Sequence, residues 1–143
     1  MKKTTLFILS IILIFTCVGC VSTQNSDENY ALNVSYGLGG DVNRTVLSID
    51  ANIGSLNSDV RNIDTYEVLI NEKYSDLLLE NGPYDSKYKD DYMQVTGTIV
   101  FDTTGMSKEE IHEARFFEGF KIIDKDGNET NLYIPADQES VSE

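Results

Sequence analysis

The chain has 143 residues, with 24 Asp and Glu against 11 Lys and Arg and a formal net charge of −13. That balance repels nucleic acid and anionic head groups, so no nucleic-acid partner is expected. Two Cys and a single His leave little for thiol or zinc chemistry, and the length admits one domain that buries its core without metal or disulfide.

Residues 1–19 read as a leader. Lys2 and Lys3 form a basic head, and Leu6 to Val18 is apolar apart from Ser10 and Thr16. A bilayer span needs about 20 apolar residues, so this shorter run fits the core of a signal peptide. It stops at Gly19-Cys20, and polar residues follow from Ser22. The pattern resembles the lipobox of prokaryotic lipoproteins, with Cys17 in the place usually given to Leu. The resemblance implies that Cys20 is lipidated and becomes the first mature residue. The membrane is then reached through a lipid anchor, on the extracytoplasmic face of the cell membrane. Cys17 would leave with the leader and Cys20 be taken by lipid, so no internal disulfide is expected.

Residues 20–29 read as a polar tether, able to hold a domain up to roughly 30 Å from the bilayer. Strands begin at Tyr30, where Tyr30, Leu32, Val34 and Tyr36 alternate with Ala31, Asn33 and Ser35. Gly37-Leu38-Gly39-Gly40-Asp41 then supplies turn residues. It lacks the Lys and helix of a phosphate-binding loop. From Arg44 to Leu56, Leu47, Ile49, Ala51 and Ile53 take one face, and Ser48, Asp50 and Asn52 the other. Tyr66, Val68 and Ile70 align in the next strand. Asp76–Leu79 fits either an edge strand or a helical turn.

Asn81–Asp91 reads as a hydrophilic loop that leaves the sheet at Gly82-Pro83. Tyr92–Asp102 is a long strand with Met93, Val95, Gly97, Ile99 and Phe101 on one side and Gln94, Thr96, Thr98 and Val100 on the other. Gly97 in its middle signals a bulge or a close approach. Ser107 and Glu110 form a capping box that opens a helix ending by about Arg115. A strand follows through Ile123, then a hairpin centred on Asp126-Gly127, then a strand from Glu129 to Pro135 with Leu132 and Ile134 inward. Residues 136–143 read as a polar tail.

Strands without strand–helix alternation predict an all-β fold over residues 30–135, an antiparallel sandwich of six or seven strands with one short helix. The pattern resembles the immunoglobulin-like domains of bacterial and archaeal surface lipoproteins. Leu47, Ile49, Ile53, Val95, Ile99, Phe101, Phe120 and Ile122 are the expected core.

For chemistry, His112 sits beside Glu109, Glu110 and Glu113 and reads as a solvated helix-face residue, with no nucleophile marked nearby. Asp124–Glu129 has its Gly too early and its loop too short for an EF-hand, so a hairpin is the better reading. No cofactor or metal is expected. Asn33, Asn43 and Asn128 head Asn-x-Ser/Thr triplets, which arise often by chance in an Asn-rich chain. The candidate ligand-binding residues are Tyr84, Tyr88 and Tyr92, spaced by four and interleaved with charge, a composition suited to a protein or glycan partner. The functional expectation is a lipid-anchored, non-catalytic binding or structural module. The alternative is a small surface hydrolase or carbohydrate-active enzyme using paired carboxylates.

Overall fold

The computed structural model describes residues 29–135. The leader, Cys20, most of the tether and the tail lie outside them. Among the described residues no helix is long and apolar enough to cross a membrane. Seven strands and one helix follow in the order β1 (Tyr30–Gly40), β2 (Arg44–Ser55), β3 (Ile63–Ile70), β4 (Leu78–Tyr88), β5 (Tyr92–Asp102), α1 (Lys108–Glu113), β6 (Phe117–Asp124) and β7 (Glu129–Tyr133).

The strands form two antiparallel sheets, ordered β1-β2-β5-β4 and β3-β6-β7. This is the strand order of the constant-type immunoglobulin sandwich, with α1 in the crossover from β5 to β6. The alternation of β2 and β5 dictates the layering. Leu47, Ile49, Ala51 and Ile53 meet Met93, Val95, Ile99 and Phe101 on the inner face, all 3 % exposed or less. Phe120, Ile122 and Leu132 come from the opposite sheet and are equally buried. All eight expected core residues lie in this cluster.

Aromatic rings join the layers where antibody domains use a disulfide and a Trp. Phe101 of β5 stacks on Phe116 with centroids 4.5 Å apart. Tyr36 of β1 meets Phe117 edge-on, and Phe117 meets Phe120. Ring contacts of this kind contribute about 0.5–1.5 kcal/mol each beyond their burial.

The turns follow their side chains. The Asp124 carboxylate accepts from the N–H groups of Asp126 and Asn128, each at 2.9 Å, and from Asn128 Nδ2, while Gly127 takes φ 84°. Those bonds hold the Asp124 carboxyl below its ordinary range, led by the Asn128 side chain. The capping box is present: Glu110 N–H donates to Ser107 Oγ at 3.1 Å and Ser107 N–H to Glu110 Oε2 at 2.7 Å. The helix stops at Glu113, short of Arg115.

Two expected loops are strand. The glycine run Gly37–Gly40 belongs to β1, and the chain reverses instead at Val42-Asn43. There Asp41 Oδ1 accepts from the N–H groups of Asn43 and Arg44, and the Asp41–Arg44 backbone pair closes the turn. The Asp41 side chain and Gly40 at φ 88°, where a Cβ would strike the Arg44 carbonyl oxygen, set the reversal, and Gly37 and Gly39 stay in the strand. Likewise Asn81–Tyr88 stays in the sheet as part of β4 and does not leave it at Gly82-Pro83. Its register slips against β5 between Asn81 and Tyr84, so the dipeptide forms a bulge within an edge strand. The Asp76–Leu79 ambiguity resolves as a 3₁₀ turn over Glu72–Leu77, with β4 opening at Leu78.

Candidate binding face

The three tyrosines do not form one surface. In β4 the spacing of four is an alternation of two. Tyr84, Ser86 and Tyr88 pair with Gly97, Val95 and Met93 and so take the inner side of the strand, Ser86 and Tyr88 exposed at its edge, while Asp85 and Lys87 face out. The Tyr84 ring packs against the core cluster, and its hydroxyl donates to Asn81 Oδ1. Burial pushes the Tyr84 hydroxyl well above the ordinary tyrosine range, with Tyr66 adding to the effect. Tyr88 Oη donates to the Ile63 carbonyl at 2.8 Å, tying the β4 edge to the start of β3. Only Tyr92, the neighbour of inward Met93 on β5, turns to the outer face of the four-stranded sheet.

That outer face is where the hydrogen-bonding side chains gather. Asn33, Asn52, Gln94 and Lys87 stand in one row across β1, β2, β5 and β4. Ser35, Asp50, Thr96 and Asp85 stand in the next. Gly37, Ser48 and Thr98 follow, and Tyr92 shares its own row with the small residues Gly54 and Ala31. Gln94 Nε2 donates to Asp50 Oδ1 at 3.0 Å, and Lys87 Nζ lies 3.2 Å from Asp85 Oδ2. Further along, the Arg44–Glu80 ion pair links β2 and β4 across β5, at the level of Val100. Val100 is 4 % exposed although its side chain points outward.

Two details mark this face as more than wetted sheet. Asn52 Oδ1 is buried within the row and has no hydrogen-bond partner. Beside it, a shallow depression of about 280 Å³ opens at Ser35, Gly37, Ser48 and Asp50. At Gly37 the surface is open, since a Cβ there would meet nothing within 4 Å. Hydroxyl and carboxylate groups thus border a concave spot, with amides in the next row and an aromatic ring farther along the sheet.

Asp50 and Asp85 are the nearest thing to a carboxylate pair here. They face the same way with Thr96 between them, about 10 Å apart by strand spacing. They stand on open sheet and not on the walls of a cleft. His112 lies elsewhere, exposed on α1 at an open notch of about 430 Å³ between the helix and the β1–β2 hairpin. The Asp41 carboxylate at that notch is occupied by the turn it builds.

The sequence pattern places Asn33 and Ser35, Ser48, Asp50 and Asn52, and Gln94, Thr96 and Thr98 on the polar sides of three strands, and Asp85 and Lys87 in a loop, without joining them. The signal was the polar parity of Ser48, Asp50 and Asn52 and of Gln94, Thr96 and Thr98. Compared with family models, with curated proteins and with solved structures, the chain matches none. The reading of the face therefore stands on its own geometry.

Proposed function

We propose that the chain is a lipid-anchored extracytoplasmic binding module, without catalysis, that holds a glycan of the cell surface on the outer face of its four-stranded sheet. The observation that carries this reading is the depression at Ser35, Gly37, Ser48 and Asp50, set among the polar rows of the outer face. Sugars present many hydroxyls, each both donor and acceptor, and match a face of amides, hydroxyls and a carboxylate. The half-buried Tyr92 ring, flanked by Gly54 and Ala31, offers an apolar platform for a sugar ring. The address comes from Lys2, Lys3, the apolar run and Gly19-Cys20. With an anchored domain on a short tether, the partner is a component of the same envelope.

The test is capture of envelope polysaccharide by the full chain and by Ser48→Arg. Ser48 is exposed and lines the depression, so the longer side chain fills it without touching the core. The variant is expected to lose capture at least tenfold with an unchanged thermal midpoint. Equal capture by both proteins would contradict the reading. Release of shortened glycan during the assay would favour the carboxylate-enzyme alternative.

A further inference from the structure

The two sheets have four edge strands, and three are guarded. β3 carries Asp64 and Glu67 and shifts register twice. β4 carries Glu80, Asp85 and Lys87, has Pro83, and also shifts twice. β7 is only five residues long. Charges, proline, bulges and shortness are the devices that keep sheet edges from pairing with other chains. β1 has none of them. It runs 11 residues, Tyr30–Gly40, in unbroken register with β2, with no charged residue and no proline.

Its open groups can be assigned. The Asp41–Arg44 pair exchanges both backbone bonds, and hydrogen-bonded pairs alternate with non-bonded ones along an antiparallel ladder. Asn33, Ser35, Gly37 and Gly39 therefore bond to β2, whereas the N–H and C=O groups of Leu32, Val34, Tyr36 and Leu38 point away from it. Those same four residues direct their side chains into the sandwich. Leu32 is buried, but Val34, Tyr36 and Leu38 are covered only in part. An apolar lip thus runs beside a row of unpaired backbone groups.

We infer that β1 pairs antiparallel with β1 of a second copy of this chain, joining two four-stranded sheets into one. The charge pattern selects the occupant. In a chain of net charge −13, two copies repel over most of their surfaces, but the 11 residues of β1 bring no like charges together. The assigned backbone groups also fix the register. Pairing Val34 with Tyr36 of the second copy, and Leu32 with Leu38, satisfies the outward groups and covers the lip. This register overlaps the whole strand and sets Ser35 opposite Ser35 of the second copy, in a non-bonded pair with Cβ atoms about 4.5–5.5 Å apart. The outer faces of the two sheets then become continuous. The inference goes beyond the glycan reading and does not depend on it.

The test is disulfide trapping in the producing cell's membranes. Ser35→Cys is made in the full chain, with the parent chain as the background for Cys17 and Cys20. Ser86→Cys, on the guarded β4 edge, is the matched control. On mild oxidation Ser35→Cys is expected to run mainly at twice the monomer mass without reductant, while Ser86→Cys and the parent do not. In parallel, Ser35→Lys places two ammonium groups against each other on an exposed position. It is expected to sediment as a monomer in density-matched detergent, where the parent sediments as a dimer. Trapping at Ser86→Cys equal to that at Ser35→Cys, or none at Ser35→Cys, would overturn the inference. So would a Ser35→Cys adduct of any mass other than twice the monomer, since another protein would then occupy the edge.

Discussion

The ring of Tyr84 lies where a side chain at Gly97 would stand. A Cβ on Gly97 would fall 2.3 Å from Tyr84 Cδ1 and 2.8 Å from the Pro83 carbonyl oxygen. The two residues are direct partners across the β4–β5 ladder. Gly97→Ala is therefore expected to cost about 1–3 kcal/mol by overpacking. Tyr84→Ala should cost on the order of 2 kcal/mol by removing a partly buried ring. Because truncating Tyr84 frees space that the new Cβ at Gly97 needs, the double variant Gly97→Ala with Tyr84→Ala should lose less than the sum of its singles. Denaturant unfolding of the four proteins measures this, and strict additivity would contradict the contact.

The core contains the rows on which both sheets depend. Ile49 is 3 % and Phe101 0 % exposed, and Phe101 also stacks on Phe116. Truncation to Ala should cost about 2–5 kcal/mol at each, with Phe101 toward the upper end. A thermal midpoint unchanged in both variants would contradict the layering.

Acid should loosen the β6–β7 hairpin. The Asp124 carboxyl sits below its ordinary value of 3.8, held there first by the Asn128 side chain. A carboxyl lowered in the folded state contributes stability above its unfolded value, and that contribution is lost as pH falls through the folded one. Glu110 behaves alike below 4.5, through its bonds to the Ser107 backbone and hydroxyl. Thermal midpoints at pH 7 and pH 3 should differ less for Asp124→Asn than for the parent. An undiminished difference would assign the acid sensitivity to other groups.

Anchoring through Cys20 predicts a simple fractionation result. Two acyl chains hold a protein on a bilayer where one is marginal. Cys20→Ala should therefore appear as uncleaved precursor or as soluble protein, and should take up no labelled fatty acid. A cleaved Cys20→Ala protein that stays with the membrane would contradict the assignment.

The sandwich was legible where one side of a strand is dry and the other wet. In β2 and β5, Leu47, Ile49, Val95 and Ile99 alternate with Ser48, Asp50, Gln94 and Thr96, and the alternation survives because both strands are central. At the edges that contrast fades. The outward face and the open flank of β4 are both wet and a bulge breaks its period, so Asp85, Ser86 and Lys87 read as loop. In β1, Gly37 and Gly39 signal a turn but lie in the strand, because Gly40 and Asp41 place the turn beyond them. The candidate face is legible only through its neighbours. Ser35, Asp50, Thr96 and Asp85 are far apart in sequence, and only the order β1-β2-β5-β4 brings them into one row.

On the proposed function, the outer face of the four-stranded sheet holds the glycan. Hydroxyl-radical footprinting of the full chain, with and without envelope polysaccharide, tests it most directly. Tyr92 reports on that face, and Tyr133, 48 % exposed on β7 and next to inward Leu132, reports on the opposite sheet. Glycan is expected to protect Tyr92 from oxidation and leave Tyr133 unchanged. Protection of Tyr133 with Tyr92 unaffected would place the ligand on the other sheet and contradict the account.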